Sequence, residues 1–224
     1  MTAEPTEPGT VPDIRRAQIL ASAVDVIIER GFPETRISDV ATRAGVSPAL
    51  VVYYFKTKAR LLSEAMRQSE NRWYAEMAQR VAGIGPAAKR LEEITAMTCL
   101  PSPKKLSRKS DSTDDVEFDD SWIVWLDLWS QALRDPHLGS VREEFDDHFR
   151  GTIKEIVRDG VARGEFVAID ESDFAVGYAA LLDGLAIQIT LNDPEVSSQR
   201  AFSLAMRTAS QQLGFAWRDL VQSQ

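Results

Sequence analysis

Residues 36–60 carry the side chains best suited to bind a nucleic acid. The stretch holds one acid, Asp39, and five cations: Arg36, Arg43, Lys56, Lys58 and Arg60. Two adjacent tyrosines, Tyr53 and Tyr54, stand among them. Cations and hydroxyl groups bind phosphates, and short side chains at a helix N-terminus reach base edges in the major groove. The chemistry expected of this stretch is therefore DNA binding.

Two short predicted helices would position these side chains. The apolar residues of the first fall on one face at helical spacing: Val40, Ala41 and Ala44. Gly45 permits a sharp reversal, and Ser47 followed by Pro48 is a strong start signal for the second helix. In that helix Val51 and Phe55, four residues apart, form a buried face. The pattern predicts a helix-turn-helix whose second helix reads the major groove.

The motif also resembles a known family. The string AGVS, the aromatic pair at residues 53–54 and Lys58 at the start of the next helix resemble the TetR family of bacterial transcription regulators. The resemblance covers about residues 15–62. Ala49 stands where the family usually has Gly, and Arg36 where it usually has Thr. The string VYYF at residues 52–55 is more similar to the choline-responsive, BetI-type branch.

The resemblance implies which side chains touch DNA. Together with the cap and the cations around it, the expected set is Arg36, Ser38, Ser47, Pro48, Ala49, Leu50, Tyr53, Tyr54, Lys56 and Lys58. Tyr54 and Lys58 are expected at phosphates. The side chains expected at bases are Ser38, Pro48, Leu50 and Tyr53, with Leu50 suited to a thymine methyl group.

Catalytic chemistry has little support in the sequence. The chain has two histidines, His137 and His148. The run Asp146-Asp147-His148 suggests a metal site, but successive helical residues point about 100° apart and cannot converge on one ion. Asp146 is better placed to pair with Arg150, four residues on. We expect no catalytic residues, no metal and no cofactor; the alternative is a helical enzyme or interaction module that retains the fold.

Three tryptophans suggest a ligand site. Trp122, Trp125 and Trp129 fall within about 60° on one face of a predicted helix. Their rings could attract a cation, or could simply fill an aromatic core. Asp183, the charge inside an apolar run, could face a ligand or be a buried acid bonded across a dimer. The full expected lining is Trp73, Met77, Met97, Trp122, Trp125, Trp129, Tyr178 and Asp183.

Composition bounds the remaining choices. The net charge is −8, but residues 1–60 hold eight basic and seven acidic side chains, so an acidic body carries a near-neutral DNA-binding end. Cys99 is the single cysteine, which excludes an internal disulfide and favours a reducing compartment. It is expected to be a small buried hydrophobe. No apolar run approaches the roughly 20 residues of a membrane span. These features predict a cytoplasmic protein without a membrane partner.

The predicted fold class is all-α, with about nine helices. Residues 1–13 are expected to form a disordered arm, 14–60 a three-helix DNA-binding domain, and 61–224 a larger domain for effector binding and dimerisation, with a flexible loop at 100–115. The loop's cations could be a second DNA contact. Helices at 171–192 and 194–220 are expected to form a homodimer interface, and residues 122–191 resemble the C-terminal domain of BetI-type regulators.

The expected function is a DNA-binding repressor, released from a pseudo-palindromic operator of double-stranded DNA by a small-molecule effector. Aromatic walls with one acid nearby would suit a small organic cation, and a neutral apolar effector is the competing possibility. A regulator of the same fold without a small ligand stays open as an alternative.

Overall fold

The computed structural model describes residues 11–100 and 121–218, and within them the chain forms helices and no strand. Their bounds are α1 Val11–Glu34, α2 Ile37–Ala44, α3 Pro48–Phe55, α4 Lys58–Val81, α5 Ala87–Cys99, α6 Ser121–Ala132, α7 Pro136–Ala162, α8 Glu171–Thr190 and α9 Ser198–Leu213. The all-α prediction is confirmed. The predicted 100–115 loop and most of the predicted arm lie outside the described residues. Helix α1 begins at Val11, three residues before the predicted start of the DNA-binding domain at residue 14.

Short-range signals set several helix ends. Gly45 caps α2 in the left-handed region, with φ of 64°. The Ser47 hydroxyl accepts a hydrogen bond from the Leu50 N–H at the start of α3. Asp170 accepts from two backbone N–H groups at the start of α8, and these bonds hold the pKa of its carboxyl below the ordinary value. Each signal lies within four residues of the end that it sets, which is why the sequence predicts those at Gly45 and Ser47.

The chain divides into two compact units. One comprises Met1–Arg72 and Asp127–Val141, the other Trp73–Leu126 and Arg142–Gln224. Helices α4, α6 and α7 contribute residues to both units. The predicted division at residue 60 stays a prediction.

The core of the first unit orients α3, the helix predicted to read the major groove. Val51 and Phe55 of α3 are 0% and 1% exposed. They pack with α1, α2 and the start of α4 in a cluster of buried residues: Ile19, Leu20, Ala23, Val26, Val40, Ala41, Ala44, Leu61 and Ala65. Burying this face of α3 leaves the opposite face in solvent.

The core of the second unit leaves one face of α8 open. Its buried residues include Leu182, Ala186 and Leu213. Along α8, however, an exposed stripe of mainly small residues runs through Val176, Gly177, Ala180, Gly184 and Gln188. An almost wholly apolar helix needs cover on every side in water, and one chain does not supply it here. Ala179, on the other side of α8, is 5% exposed and belongs to the unit's own core.

Among the described residues no helix combines the length and apolar character that crossing a membrane requires.

Candidate DNA-binding surface and ligand site

The exposed face of α3 is a ridge of small and aromatic side chains. Pro48 and Ala49 are exposed at its first turn. Val52 and Tyr53 follow at 43% and 68% exposure. Lys56 holds its ammonium 5.2 Å from the centre of the Tyr53 ring, in a cation–π contact. Val52 was missing from the predicted contacts, although its spacing of three from Ala49 placed it on this face.

The remaining predicted contacts of α3 are less exposed. Leu50 and Tyr54 are half-buried, and the Tyr54 ring packs against the core of the first unit. Tyr54 also lies 6.1 Å from the Phe55 ring, centre to centre. The phosphate contact of Tyr54 and the base contact of Leu50 stay predictions. Both side chains would have to make these contacts from the edge of the ridge.

The cations around the ridge divide into paired and available groups. Arg43 is bonded to Glu29, which keeps the pKa of that carboxyl below its ordinary value. Arg60 is bonded to Glu64 at 2.7 Å. Arg36 and Lys56, by contrast, are exposed and form no ion pair with any residue that the structure describes. Arg36 precedes α2 without capping it, so its guanidinium is available to a phosphate, as is the exposed Ser38 hydroxyl.

Lys58 has a protein partner. Its ammonium donates a hydrogen bond to the Pro33 carbonyl at 2.7 Å. Partial burial lowers the pKa of Lys58 from its ordinary value. The predicted phosphate contact stays a prediction, and making it would require the ammonium to share or leave the Pro33 carbonyl.

In the second unit two ring pairs line one face of α7. The Trp73 ring on α4 packs edge-to-face on Phe149, with centroids 5.9 Å apart. The Trp125 ring on α6 packs in the same manner on Phe145 at 5.3 Å. Both tryptophans are half-buried. Phe145 and Phe149 were not predicted as site residues, although their spacing of four was a visible signal.

An ionic cluster on α7 accompanies the rings. Asp146 lies between two arginines, 3.1 Å from Arg142 and 3.5 Å from Arg150. The predicted pairing of Asp146 with Arg150 is confirmed. Desolvation nonetheless raises the pKa of Asp146, ahead of the opposing effect of the arginines. Arg142, Asp146 and Arg150 were not among the residues predicted to line the ligand site.

Asp183 on α8 carries the most perturbed carboxyl of this region. Burial, followed by the nearby Asp146 charge, raises its pKa to about 7, while Arg150 and Arg142 act in the opposite direction. An acid in this state is half-ionised near neutral pH. A cation placed beside it would restore the ionised form.

Of the other predicted lining residues, one is buried in the core and the rest are half-buried. Tyr178 is 3% exposed, and its hydroxyl lies 2.7 Å from the Thr95 hydroxyl. Burial raises its pKa above the ordinary value. Met77, Met97 and Trp122 are half-buried in the second unit, whereas Trp129, also half-buried, belongs to the first. Cys99 is fully buried, as predicted, and burial raises the pKa of its thiol to about 12.

The two histidines take part in separate contacts. His137 Nε2 lies 3.1 Å from the Ser63 hydroxyl, and His148 stacks on Tyr74 at 3.6 Å between ring centres. The described residues hold no group of three or more side chains that could bind a metal ion.

Two family models match the chain. The model for bacterial regulatory proteins of the tetR family matches residues 19–65. The model for the C-terminal domain of BetI-type transcriptional repressors matches residues 111–214. The first match contains the helix-turn-helix, and the second contains Trp125, the α7 cluster and Asp183.

Relatives and solved structures agree with these matches. HTH-type transcriptional regulators BetI from Burkholderia lata and Burkholderia cenocepacia are each 28% identical over 200 residues, covering 86% of this chain and 91% of each relative. A putative transcriptional regulator from Saccharomonospora viridis, solved in complex with choline, is 25% identical with a TM-score of 0.76, covering 90% of this chain and 98% of that one. A putative TetR-family transcriptional regulator from a Rhodococcus species has a TM-score of 0.75 at 24% identity, over 90% of this chain and 99% of that one.

Proposed function

Because the chain belongs to the TetR family and carries a BetI-type C-terminal domain, we propose that its homodimer binds a pseudo-palindromic operator and leaves it when a small organic cation binds. The predictions of a DNA-binding transcription regulator and of no enzyme activity are confirmed. The operator geometry, the dimer and the ligand class are the proposed parts.

The ridge on α3 supports the DNA-binding mode. Tyr53, 68% exposed beside the Lys56 ammonium, presents an aromatic ring and a cation together. A ridge of this kind along the exposed face of a short helix fits the major groove, where the cations bind phosphates and the ridge reads base edges. Two copies related by a dyad would read half-sites about 34–36 Å apart, or further for a longer operator.

The exposed stripe on α8 supports the dimer. Gly177, Ala180 and Gly184 would let the backbone of a second α8 approach closely, and Val176 adds apolar area, 52% exposed in one chain. Covering this stripe with α8 and α9 of a second copy would complete the burial of an apolar helix. A stable dimer is expected to bury more than roughly 1,200 Å² in total.

Two features at α7 support the ligand class: aromatic rings pack on this helix, and the Asp183 carboxyl lies near its charged residues. Trp73 and Trp125 are half-buried, and Asp183 has a carboxyl whose pKa is raised to about 7. Each aromatic face attracts a cation by roughly 0.5–2 kcal/mol. A bound cation would also stabilise the ionised form of the desolvated carboxyl. The similar S. viridis structure was solved with choline, a cation of this class.

The DNA part is tested with DNA selected by the protein from a random pool. Tyr53→Ala should change the selected sequence, because the ring is proposed to contact bases. Lys56→Ala should weaken binding to selected and random DNA alike and reduce the salt slope by about one. Lys89→Ala, an exposed cation in the second unit, is the control and should change neither. Unchanged selection and salt slope in both variants would refute the assignment.

The ligand part is tested with an isosteric pair. Choline and its neutral carbon analogue 3,3-dimethylbutan-1-ol differ in one atom and in charge. Choline should change tryptophan fluorescence saturably and release the selected DNA, and the neutral analogue should need at least tenfold higher concentration. Trp125→Leu should lose the response and keep DNA binding. Equal responses to both compounds would refute the cation assignment and favour an apolar pocket for neutral effectors. No response to either compound would favour a regulator without this ligand class.

A further inference from the structure

The backbone at Gly31 takes a conformation that only glycine adopts readily. Its φ of 78° and ψ of 163° interrupt helix α1, and this region of backbone space is close to glycine-only. A β-carbon at this position would also lie 2.9 Å from the Oδ2 atom of Asp127. The backbone conformation therefore favours glycine at residue 31, and the missing β-carbon also leaves room for this carboxylate.

Three hydrogen bonds fix residues 31–33. The Phe32 N–H donates to Asp127 Oδ2 at 2.9 Å. The Thr35 hydroxyl donates to the Gly31 carbonyl, and the Lys58 ammonium donates to the Pro33 carbonyl, both at 2.7 Å. Phe32 is 2% exposed, so its ring is locked into the protein as well. The segment that leads into α2 is thus held by α6 on one side and by α4 on the other.

Asp127 occupies a particular place on α6. It lies two residues after Trp125 and two before Trp129. Two residues along a helix correspond to a rotation of about 200°, so the Asp127 side chain leaves α6 on the side opposite to both tryptophans. Because a helix moves nearly as a rigid body, a ligand that shifts Trp125 would also shift the Asp127 carboxylate.

We propose that Asp127 is a positioning residue that couples the ligand site to the DNA-binding unit through its hydrogen bond to the Phe32 N–H. The inference rests on the proposed function, because it takes Trp125 to belong to the ligand site. Movement of the carboxylate displaces residues 31–33, and with them both the entry to α2 and the carbonyl that holds Lys58. A bond to an ionised acceptor is roughly twice as strong as a neutral one, which suits a contact that must transmit displacement.

Coupling between two sites is reciprocal, so DNA binding must affect α6 even without an effector. The test measures hydrogen exchange of residues 121–132 with and without the DNA selected from a random pool. Wild type should show at least a threefold change in exchange on binding DNA. Asp127→Ala should still bind this DNA but lose the change in α6, and the Phe32 amide should exchange at least tenfold faster. Asp127→Asn, which keeps a neutral acceptor, should retain part of the response.

Ser130→Ala, an exposed change on the same helix, is the control and should respond as wild type. The proposal would be overturned if DNA did not change hydrogen exchange in α6 of the wild type. It would also be overturned if Asp127→Ala showed the full wild-type change. If Asp127→Ala does not fold, Asp127→Asn decides: a response cut at least twofold supports the coupling, and an unchanged response overturns it. No cation enters the measurement, so failure of the proposed ligand class would be seen separately, in the choline titration.

Discussion

Replacing Asp183 by Asn should make the protein more stable at alkaline pH. In the folded protein, burial raises the pKa of this carboxyl from 3.8 to about 7. Between these two values the folded state binds more protons than the unfolded state, so the free energy of unfolding falls as the pH rises. The destabilisation is absent well below pH 4 and complete above pH 7. Asn does not titrate in this pH range, so the variant lacks this pH-dependent destabilisation.

The magnitude follows from the two pKa values. Each pH unit between 3.8 and about 7 corresponds to about 1.4 kcal/mol, giving about 4 kcal/mol per subunit once the carboxyl is fully ionised. Part of this loss has already occurred at pH 5. Between pH 5 and pH 8 the wild type should therefore lose about 2.5 kcal/mol per subunit relative to Asp183→Asn.

The assay is urea unfolding of both proteins at pH 5, 6, 7 and 8. Protomer concentration is held fixed, because dimerisation contributes to the apparent stability. Groups common to both proteins, such as the neighbouring Asp146, cancel in the comparison to first order. Asp147→Asn, a change at an exposed acid of α7, is the control and should run parallel to wild type. A difference between wild type and Asp183→Asn that stays constant from pH 5 to pH 8 would refute the assigned environment of Asp183.

Three further outcomes are expected. Choline should bind more tightly as the pH rises through about 7, because proton and cation compete for the Asp183 carboxylate; calorimetric titration at pH 6 and pH 8 measures this, and a flat profile would place the cation elsewhere. Ala180→Arg should put a charge on the exposed stripe of α8 and shift the dimer toward monomer in sedimentation velocity, while Ala162→Arg, exposed at the end of α7, should not; equal dimerisation of both would mean that another face pairs. Ser47→Ala removes the cap on the Leu50 N–H at 3.2 Å and should cost about 1 kcal/mol of unfolding free energy, measured by thermal denaturation; a change below about 0.3 kcal/mol would show that the cap contributes little.

Much of the DNA-binding unit was predictable from the sequence because its signals act over short distances. The turn at Gly45, the cap at Ser47 and the buried pair Val51 and Phe55 all depend on neighbours within four residues. The helical repeat then decides which side chains are left on the outside of α3. The same rule places Val52 on the exposed face of α3, although it was left out of the predicted DNA contacts.

The ligand site stays a prediction, and the surroundings of its residues could not be read from the sequence, because they depend on how distant helices pack. Trp73 and Trp125 were assigned from their type, but their partners Phe149 and Phe145 come from α7. Tyr178, assigned to the lining, instead bonds to Thr95 inside the core. A helical stripe of large side chains looks the same in sequence whether it lines a pocket or fills a core.

The sequence by itself determined the helices, their caps and the faces that they bury, since these follow from the backbone repeat and from local hydrogen bonds. Only the tertiary structure decided that Asp127 would meet the Phe32 N–H across 95 residues of chain, and that Lys58 would bond to the Pro33 carbonyl. The tertiary structure also decided that Asp183 would lie close enough to Asp146 to feel its charge. Each of these contacts depends on the relative placement of helices, which is set by the summed packing of many side chains and leaves no signal at the residues concerned.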